Sequence, residues 1–206
     1  MNLPNKITLS RIFMVPIFML FVIPIPDWIV QLEQLRFMFS ELTSFNHFVM
    51  NYGNYIGAVF FIIAASTDGV DGYIARKRKQ ITKFGCFLDP IADKLLVTAA
   101  LIALVQRNDV TGWAAMIIVS REFIVTGLRL IAAGEGIVIS ASSLGKLKTV
   151  TQMVAIGLSL TKNFPLSLFT DFPFDRLIMM IAVVITIYSG YDYLVKNIHV
   201  IKQNNN

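Results

Sequence analysis

Four aspartates lie in two apolar segments, on either side of a basic loop. Asp68 and Asp71 precede the loop, and Asp89 and Asp93 follow it. Spacings of three and four residues place the two members of each pair on one face of a helix. Carboxylate oxygens bind hard divalent cations and also accept protons, so these residues could form a metal site or supply a general base.

An antiparallel hairpin of two helices would bring the two pairs to matching depths. Asp71 and Asp89 each lie nine residues from Gln80 at the loop centre, whereas Asp68 and Asp93 lie twelve and thirteen residues from it. At about 1.5 Å of rise per residue, the four carboxylates converge roughly 13 to 20 Å from that centre. Four like charges at one depth require counter-charge. Two magnesium or manganese ions, an arrangement that recurs in displacement at phosphorus, would provide it.

A different source of counter-charge is a basic side chain inside the membrane. Lys94 or Arg121 could pair with one or two of the aspartates, but such pairs hardly account for four acids in register. The spacing therefore favours a site for divalent metal.

The chain that carries these acids is strongly apolar. Of its 206 residues, 55% are hydrophobic and 15% are charged, and the mean hydropathy is +0.65. That charged fraction is well below the roughly 25% of soluble domains, so the composition indicates a membrane protein. The single cysteine, Cys86, excludes an internal disulfide. The chain has only two histidines, His47 and His199, which are far apart in the sequence, so a Cys/His zinc site is disfavoured.

Six apolar runs, most of them close to the roughly 20 residues that cross a bilayer, predict six transmembrane helices. The runs are 7–25, 52–75, 84–106, 110–133, 149–161 with its flanks, and 177–195. We expect an all-α integral membrane protein forming a single domain over residues 1–206, with a short N-terminal interfacial helix starting near Pro4. Segment 28–50, with aromatic side chains among polar ones, is expected to lie on the outer membrane surface.

Basic residues predict the orientation of these helices. With an internal N-terminus, the outer connections carry four bases and six acids, a net charge of 4 − 6 = −2, and the remainder carries 14 − 7 = +7, which together give the total of +5. The split predicts cytoplasmic termini in a multi-pass membrane protein. Because the positive charge is sorted by membrane side, it does not indicate nucleic-acid binding.

The four acids stand within a longer pattern of fixed residues. It runs Asp68-Gly-Val-Asp71-Gly72-Tyr-Ile-Ala75-Arg76, eight further residues, and then Gly85-Cys-Phe-Leu-Asp89-Pro-Ile-Ala-Asp93. This resembles the signature of the CDP-alcohol phosphatidyltransferases, D-x-x-D-G-x-x-A-R-x8-G-x-x-x-D-x-x-x-D, at every specified position. Residues 2–11, 89–95, 121–122 and 140–149 are similar to the phosphatidylglycerophosphate synthase subfamily.

The resemblance implies roles for the residues of the pattern. Asp68, Asp71 and Asp89 would hold two Mg²⁺ or Mn²⁺ ions, and Asp93 would complete the metal site and act as general base. The residues implied to shape the pocket for the CDP group are Gly72, Ala75, Arg76 and Gly85. The implied reaction is attack of an alcohol oxygen on the lipid-bearing phosphorus of CDP-diacylglycerol, with CMP leaving, at a site that faces the cytoplasm.

The resemblance also suggests a homodimer surrounded by membrane lipids. Gly53 and Gly57, spaced four residues apart in an apolar run, predict a helix-packing surface, and they are a faint hint of that dimer.

Basic residues in the second half of the chain suggest the acceptor. Arg121 and Arg129 share one face of an otherwise apolar helix, and an arginine in mid-span implies a partner or a water-filled cavity. Glu122 is adjacent to Arg121 and is expected to point elsewhere. Lys146 and Lys148 open the next span. The four bases together would receive a dianionic phosphate, and glycerol 3-phosphate fits both that demand and the subfamily resemblance.

Other interpretations of these basic residues stay open. Lys146 and Lys148 could extend to the membrane interface, and Arg121 could belong to an intramembrane ion pair. Thr8 and Arg11 either line the entrance of the site or anchor the chain at the interface.

Two alternatives to the proposed activity remain. Within the family the acceptor could be an inositol phosphate or serine. In another class, the four aspartates would form the ion site of a divalent-metal transporter, although the pattern of residues 68–93 is not repeated in the second half, as transporter repeats often are.

Overall fold

The computed structural model describes residues 3–77, 83–134, 136–137, 139–140 and 142–202. Within these ranges the chain is helical and contains no strand. The α-helices are α1 (Leu3–Val22), α2 (Asp27–Val30), α3 (Phe39–Lys77), α4 (Lys83–Gln106), α5 (Gly112–Gly134), α6 (Ser143–Thr161) and α7 (Phe174–Lys202). Two short 3₁₀ helices, Glu33–Met38 and Leu166–Leu168, lie in the connections.

Helices α1 and α3 to α7 cover the six apolar runs, so the all-helical prediction is confirmed for the described residues. Breaks in the apolar pattern end the helices where the sequence suggests. After α4 the chain turns at Asn108, which has φ of 60°, a left-handed conformation that asparagine tolerates better than most residues. After α6 the same conformation recurs at Asn163, with φ of 64°.

Two predictions about helix boundaries are wrong. Residues 39–50, expected in a segment on the membrane surface, form the first third of α3. No proline interrupts the chain between Phe39 and Lys77, so the helix continues through 39 residues, or about 58 Å. The short interfacial helix expected at the N-terminus is not a separate element either, because Leu3–Val22 is one continuous helix.

Large apolar side chains cover the outside of the helices. Helical stretches Glu33–Thr67 and Phe174–Asn197 are long and apolar enough to cross a membrane. Ile62, Leu130 and Met180 are examples of side chains that are at least half exposed. Many exposed large apolar side chains are unfavourable in water and fit contact with lipid. The number of spans remains a prediction.

The chain divides into two compact units. The first contains residues 1–108 and 160–162, and the second contains residues 109–159 and 163–206. The expectation of a single domain over residues 1–206 stays a prediction.

In the first unit, α1 packs against both α3 and α4. Gly53 and Gly57 of α3 allow close approach of α1. A Cβ atom at Gly53 would lie 2.5 Å from the carbonyl oxygen of Phe21, and one at Gly57 would overlap the side chain of Val22. The predicted helix-packing role of the two glycines is confirmed. Since they face α1 of the same chain, they no longer hint at a dimer contact.

Side-chain hydrogen bonds to the backbone fix one end of this unit. The Arg107 guanidinium donates to the carbonyl oxygens of Val22 at 2.9 Å and Met50 at 3.2 Å. Val22 lies in the last turn of α1, where carbonyls lack helical partners. Nearby, the Asn46 side chain accepts from the amide of Ile25 and donates to its carbonyl, both at 2.8 Å. These bonds hold α1, α3 and α4 in one register.

In the second unit, α5 packs against α7. Val125 and Leu128 of α5 and Tyr193 of α7 are buried together. The start of α7 is capped from the preceding connection, because the amide of Asp175 donates to Asn163 Oδ1 at 2.6 Å and Asn163 Nδ2 donates to Asp175 Oδ1 at 2.7 Å.

We expect Gly53→Ala to destabilise the protein by about 1 to 3 kcal/mol, since the added methyl group meets a backbone oxygen that cannot rotate away. The measurement is the thermal unfolding midpoint in mild detergent. Gly127→Ala is the matched control, because a Cβ atom at Gly127 of α5 meets nothing within 4 Å. Equal midpoints for the two variants would contradict the packing described for α1 and α3.

Candidate active site

The acids lie on the two helices that the spacing predicted. Asp68 and Asp71 are on α3, Asp89 and Asp93 are on α4, and α3 and α4 contact each other. Asp93 is partly buried and takes part in a polar interaction. The side chains of the other three aspartates lie outside those that the structure describes. Convergence of the four carboxylates thus remains a prediction.

The register between α1 and α4 supports that prediction. Arg107 follows α4 directly and bonds to Val22 at the end of α1, so the two helices end at a similar level. Thr8 precedes Val22 by fourteen residues, and Asp93 precedes Arg107 by fourteen. Because both helices rise equally per residue, Thr8 and Asp93 lie at a similar level, about 21 Å from that end.

The register between α1 and α3 places the acids of α3 at a similar level along α1. Gly57 of α3 faces Val22, and α3 runs antiparallel to α1. Arg11 precedes Val22 by eleven residues, and Asp68 follows Gly57 by eleven. Arg11 and Asp68 are therefore at a similar level too.

Thr8 and Arg11 lie on the buried stripe of α1 whose later members, Phe18 and Val22, pack against Gly57 of α3. Thr8 and Arg11 are each only 1% exposed. Both make polar interactions. An anchor at the membrane interface would leave these side chains accessible to headgroups, so their burial favours a place beside the acid-bearing helices.

The donor set suits a hard divalent cation. Four carboxylates on two neighbouring helices are oxygen ligands of the kind that magnesium and manganese take, and the buried arginine at their level is consistent with a concentration of negative charge there. Among the described side chains alone, no three histidine, cysteine, aspartate or glutamate residues form a group.

The residues expected to shape a CDP pocket lie beside the acids. Gly72, Ala75 and Arg76 are on α3, and Gly85 is near the start of α4. Their surroundings fall outside the part of the chain whose side chains the structure describes, so these assignments stay predictions.

A basic cluster occupies the second unit, and Arg121 of α5 is its centre. The Arg121 side chain is 12% exposed, and its Nη2 donates to Ser189 Oγ of α7 at 2.7 Å. Gly190 leaves room for the arginine, since a Cβ atom there would lie 3.1 Å from Arg121 Cγ. Two small residues of α7 thus fix the position of the guanidinium.

Glu122 joins Arg121 to Lys148 of α6. Its Oε1 lies 3.8 Å from Arg121 Nη1 and contacts the ammonium of Lys148. The expectation that Glu122 points away from Arg121 is wrong, because two long side chains can leave a helix in different directions and still meet beyond its surface. Lys148 is only 3% exposed, so it does not extend to the membrane interface.

The other two predicted bases are placed differently. Arg129 Nε donates to Tyr193 Oη at 2.9 Å, and the guanidinium carbon lies 5.4 Å from the centre of that ring, a cation–π distance. Lys146 is exposed near the start of α6. The structure therefore brings Arg121 and Lys148 together, holds Arg129 two turns along α5, and leaves Lys146 in the periphery.

The N-terminus of α6 adds to this cluster. Ser142 caps it by accepting from the amide of Gly145 at 3.0 Å. A Cβ atom at Gly145 would lie 3.9 Å from Arg121 Nη2, so the first turn of α6 is close to the guanidinium. A helix N-terminus beside two cations can bind an anion such as a phosphate.

Sequence reasoning did not find the partners in this cluster. Glu122, Ser189 and Tyr193 were not among the predicted site residues. Ser189 offered a signal, because a serine followed by Gly190 in a long apolar helix often marks a polar contact between helices. Tyr193 offered none beyond its place in the same helix.

Comparison with known proteins gives one family. A sequence model of the CDP-alcohol phosphatidyltransferase family matches residues 1–188 of this chain. The match spans parts of both compact units.

Three relatives illustrate the similarity, and each is named CDP-diacylglycerol–glycerol-3-phosphate 3-phosphatidyltransferase. The protein from Bacillus subtilis (strain 168) is 48% identical over 204 residues, covering 99% of both chains. The protein from Rickettsia bellii (strain RML369-C) is 35% identical and covers 93% of both. That from Haemophilus influenzae (strain Rd) is 34% identical, with 94% of this chain and 91% of the relative covered.

We expect inorganic phosphate to bind the folded basic cluster and so to raise the thermal unfolding midpoint, by about 2 to 4 °C for each kcal/mol that binding adds to the free energy of unfolding. Arg121→Gln should abolish the shift. Arg176→Gln, which removes an exposed arginine at the start of α7, is the matched control and should retain it. Loss of the shift in both variants would indicate a non-specific charge effect.

Proposed function

This chain belongs to the CDP-alcohol phosphatidyltransferase family, and from that membership we propose that it transfers the phosphatidyl group of CDP-diacylglycerol to sn-glycerol 3-phosphate. The products are phosphatidylglycerophosphate and CMP, and the reaction belongs to phospholipid biosynthesis. The observation that carries the proposal is the similarity, over almost the whole chain, to relatives that are named for this reaction.

The donor site is formed by the acid-bearing helices of the first unit. Asp68, Asp71, Asp89 and Asp93 would hold two divalent ions, Mg²⁺ or Mn²⁺. A bound ion of this kind neutralises charge on the diphosphate and on the leaving oxygen. Gly72, Ala75 and Gly85 would leave space for the cytidine, and Arg76 would offer a bidentate contact to phosphate.

Asp93 is the proposed general base. It accepts the proton from the acceptor hydroxyl, whose oxygen forms a new bond to the lipid-bearing phosphorus. The bond from that phosphorus to the oxygen of CMP breaks, and CMP leaves with the electron pair. A carboxylate is a weak base for an alcohol, so alignment of the two substrates must contribute much of the rate acceleration.

The basic cluster of the second unit is the proposed acceptor site. Arg121 and Lys148 are held at fixed positions, Arg129 lies two turns away, and Lys146 is exposed nearby. A phosphate monoester carries close to two negative charges at neutral pH, which these cations would bind. Serine has no such group. An inositol phosphate would also bind, and the names of the relatives favour glycerol 3-phosphate over it.

The cellular setting follows from the apolar surface and the charge distribution. We propose six membrane spans with both termini in the cytoplasm of a bacterium, an active site that opens on the cytoplasmic side, and a homodimer in the membrane. The exposed apolar faces of α3, α5 and α7 support contact with lipid.

We expect membranes that contain the protein to release CMP when CDP-diacylglycerol, glycerol 3-phosphate and Mg²⁺ or Mn²⁺ are all present. Omission of any one of them should reduce release to background. Replacing glycerol 3-phosphate by an inositol phosphate or by serine tests the acceptor. Faster release with either replacement would refute the acceptor assignment while leaving the family chemistry intact. Metal uptake into proteoliposomes without lipid substrate would favour the transporter alternative.

We expect Asp93→Asn to lower kcat by about 100-fold or more, because an amide cannot accept the proton. Asp192→Asn is the matched control. Asp192 pairs with Lys196 one turn along α7, and the lysine of that pair is largely exposed, so its replacement should leave kcat near the wild-type value. Wild-type turnover by the Asp93 variant would show that the base lies elsewhere.

A further inference from the structure

Glu122 is the acidic member of the basic cluster in the second unit. We propose that it is a positioning residue for the acceptor: its carboxylate holds the ammonium of Lys148 beside the guanidinium of Arg121, so that both cations are in place before a phosphate arrives. This inference rests on the function proposed above and names one more residue that the reaction depends on.

Charge repulsion is the first reason. Arg121 and Lys148 come from different helices, and both side chains are largely withdrawn from water. Two cations in such a place repel each other and lose hydration. The Glu122 carboxylate contacts Lys148 and lies 3.8 Å from Arg121 Nη1, so one acid offsets both. Without it, the ammonium of Lys148 would turn away from the guanidinium.

Loss of side-chain freedom is the second reason. Lysine has a long flexible stem, and a ligand that must immobilise it binds less tightly. Here Lys148 is already fixed by Glu122, and Arg121 is already fixed by Ser189. The two cations are thus positioned before the ligand binds, and Glu122 is the residue that positions Lys148.

The net charge of the cluster is the third reason. The proposed acceptor site contains four bases, Arg121, Arg129, Lys146 and Lys148, and Glu122 lowers their summed charge to 4 − 1 = +3. That charge still exceeds the two negative charges of a phosphate monoester. Glu122 therefore reduces repulsion among the bases without cancelling their attraction for the proposed acceptor.

Steady-state kinetics of Glu122→Gln test the inference. This variant keeps the shape of the side chain and removes its charge. We expect KM for glycerol 3-phosphate to rise by about tenfold or more while KM for CDP-diacylglycerol is unchanged, since displacement of a positioned group commonly has an effect of this size. Glu122→Asp keeps the charge and should recover most of the loss.

Several results would overturn the proposal. A lower KM for glycerol 3-phosphate in Glu122→Gln would mean that the carboxylate competes with phosphate rather than preparing its site. An equal rise in both KM values, or no recovery in Glu122→Asp, would indicate a general structural role.

A double-mutant cycle tests whether Glu122 acts through Lys148. In a Lys148→Met background, Glu122→Gln should change KM for glycerol 3-phosphate by less than about twofold, because the partner is already absent. The double variant leaves no buried lysine without its carboxylate, so it is expected to fold. Independent, multiplying effects of the two substitutions would contradict the mechanism.

Binding of inorganic phosphate separates this inference from the proposed function. If the wild-type protein releases no CMP with glycerol 3-phosphate, the proposed function fails. The thermal shift with inorganic phosphate still tests Glu122: loss of the shift in Glu122→Gln and its retention in Glu122→Asp support the inference. Equal shifts in the wild type and Glu122→Gln overturn it.

Discussion

The cost of withdrawing charge from water governs the organisation of this protein. In a chain with 15% charged residues, the described side chains that are both charged and buried are held by specific partners. The second unit shows this most clearly. Lys148 forms an ion pair with Glu122, and Arg121 lies between Glu122 and Ser189. The same constraint applies to the aspartates of α3 and α4, for which divalent cations are the natural counter-charge.

Much of the fold could be predicted from hydrophobic runs and the residues that interrupt them. Six long apolar runs became helices at the expected places because their lengths and breaks leave little choice. The extent of α3 could not be predicted in the same way. Residues 39–50 mix aromatic and polar side chains, which suit both a surface segment and the first turns of a helix, and only packing decides between them.

The site was predictable to different degrees in the two halves of the chain. Spacing correctly placed the four aspartates on two helices that contact each other, whereas their metal-binding and base roles, implied by the resemblance, stay predictions. Burial of Thr8 and Arg11 could not be inferred, since it depends on how far α1 is shifted along its neighbours. The expectation that Glu122 points away from Arg121 was wrong for a physical reason. Helix geometry fixes only the direction in which a side chain leaves the backbone, whereas the position of the Glu122 carboxylate also depends on Lys148 from another helix.

The hydrogen bonds from Arg107 have a consequence for how the protein responds to acid. Their acceptors are peptide carbonyls of Val22, Val49 and Met50, groups that gain no proton in the physiological range. These hydrogen bonds are therefore contacts that acidification leaves unchanged. Their contribution to the register of the helices that carry the aspartates does not depend on the pH of the compartment that this end of the unit faces.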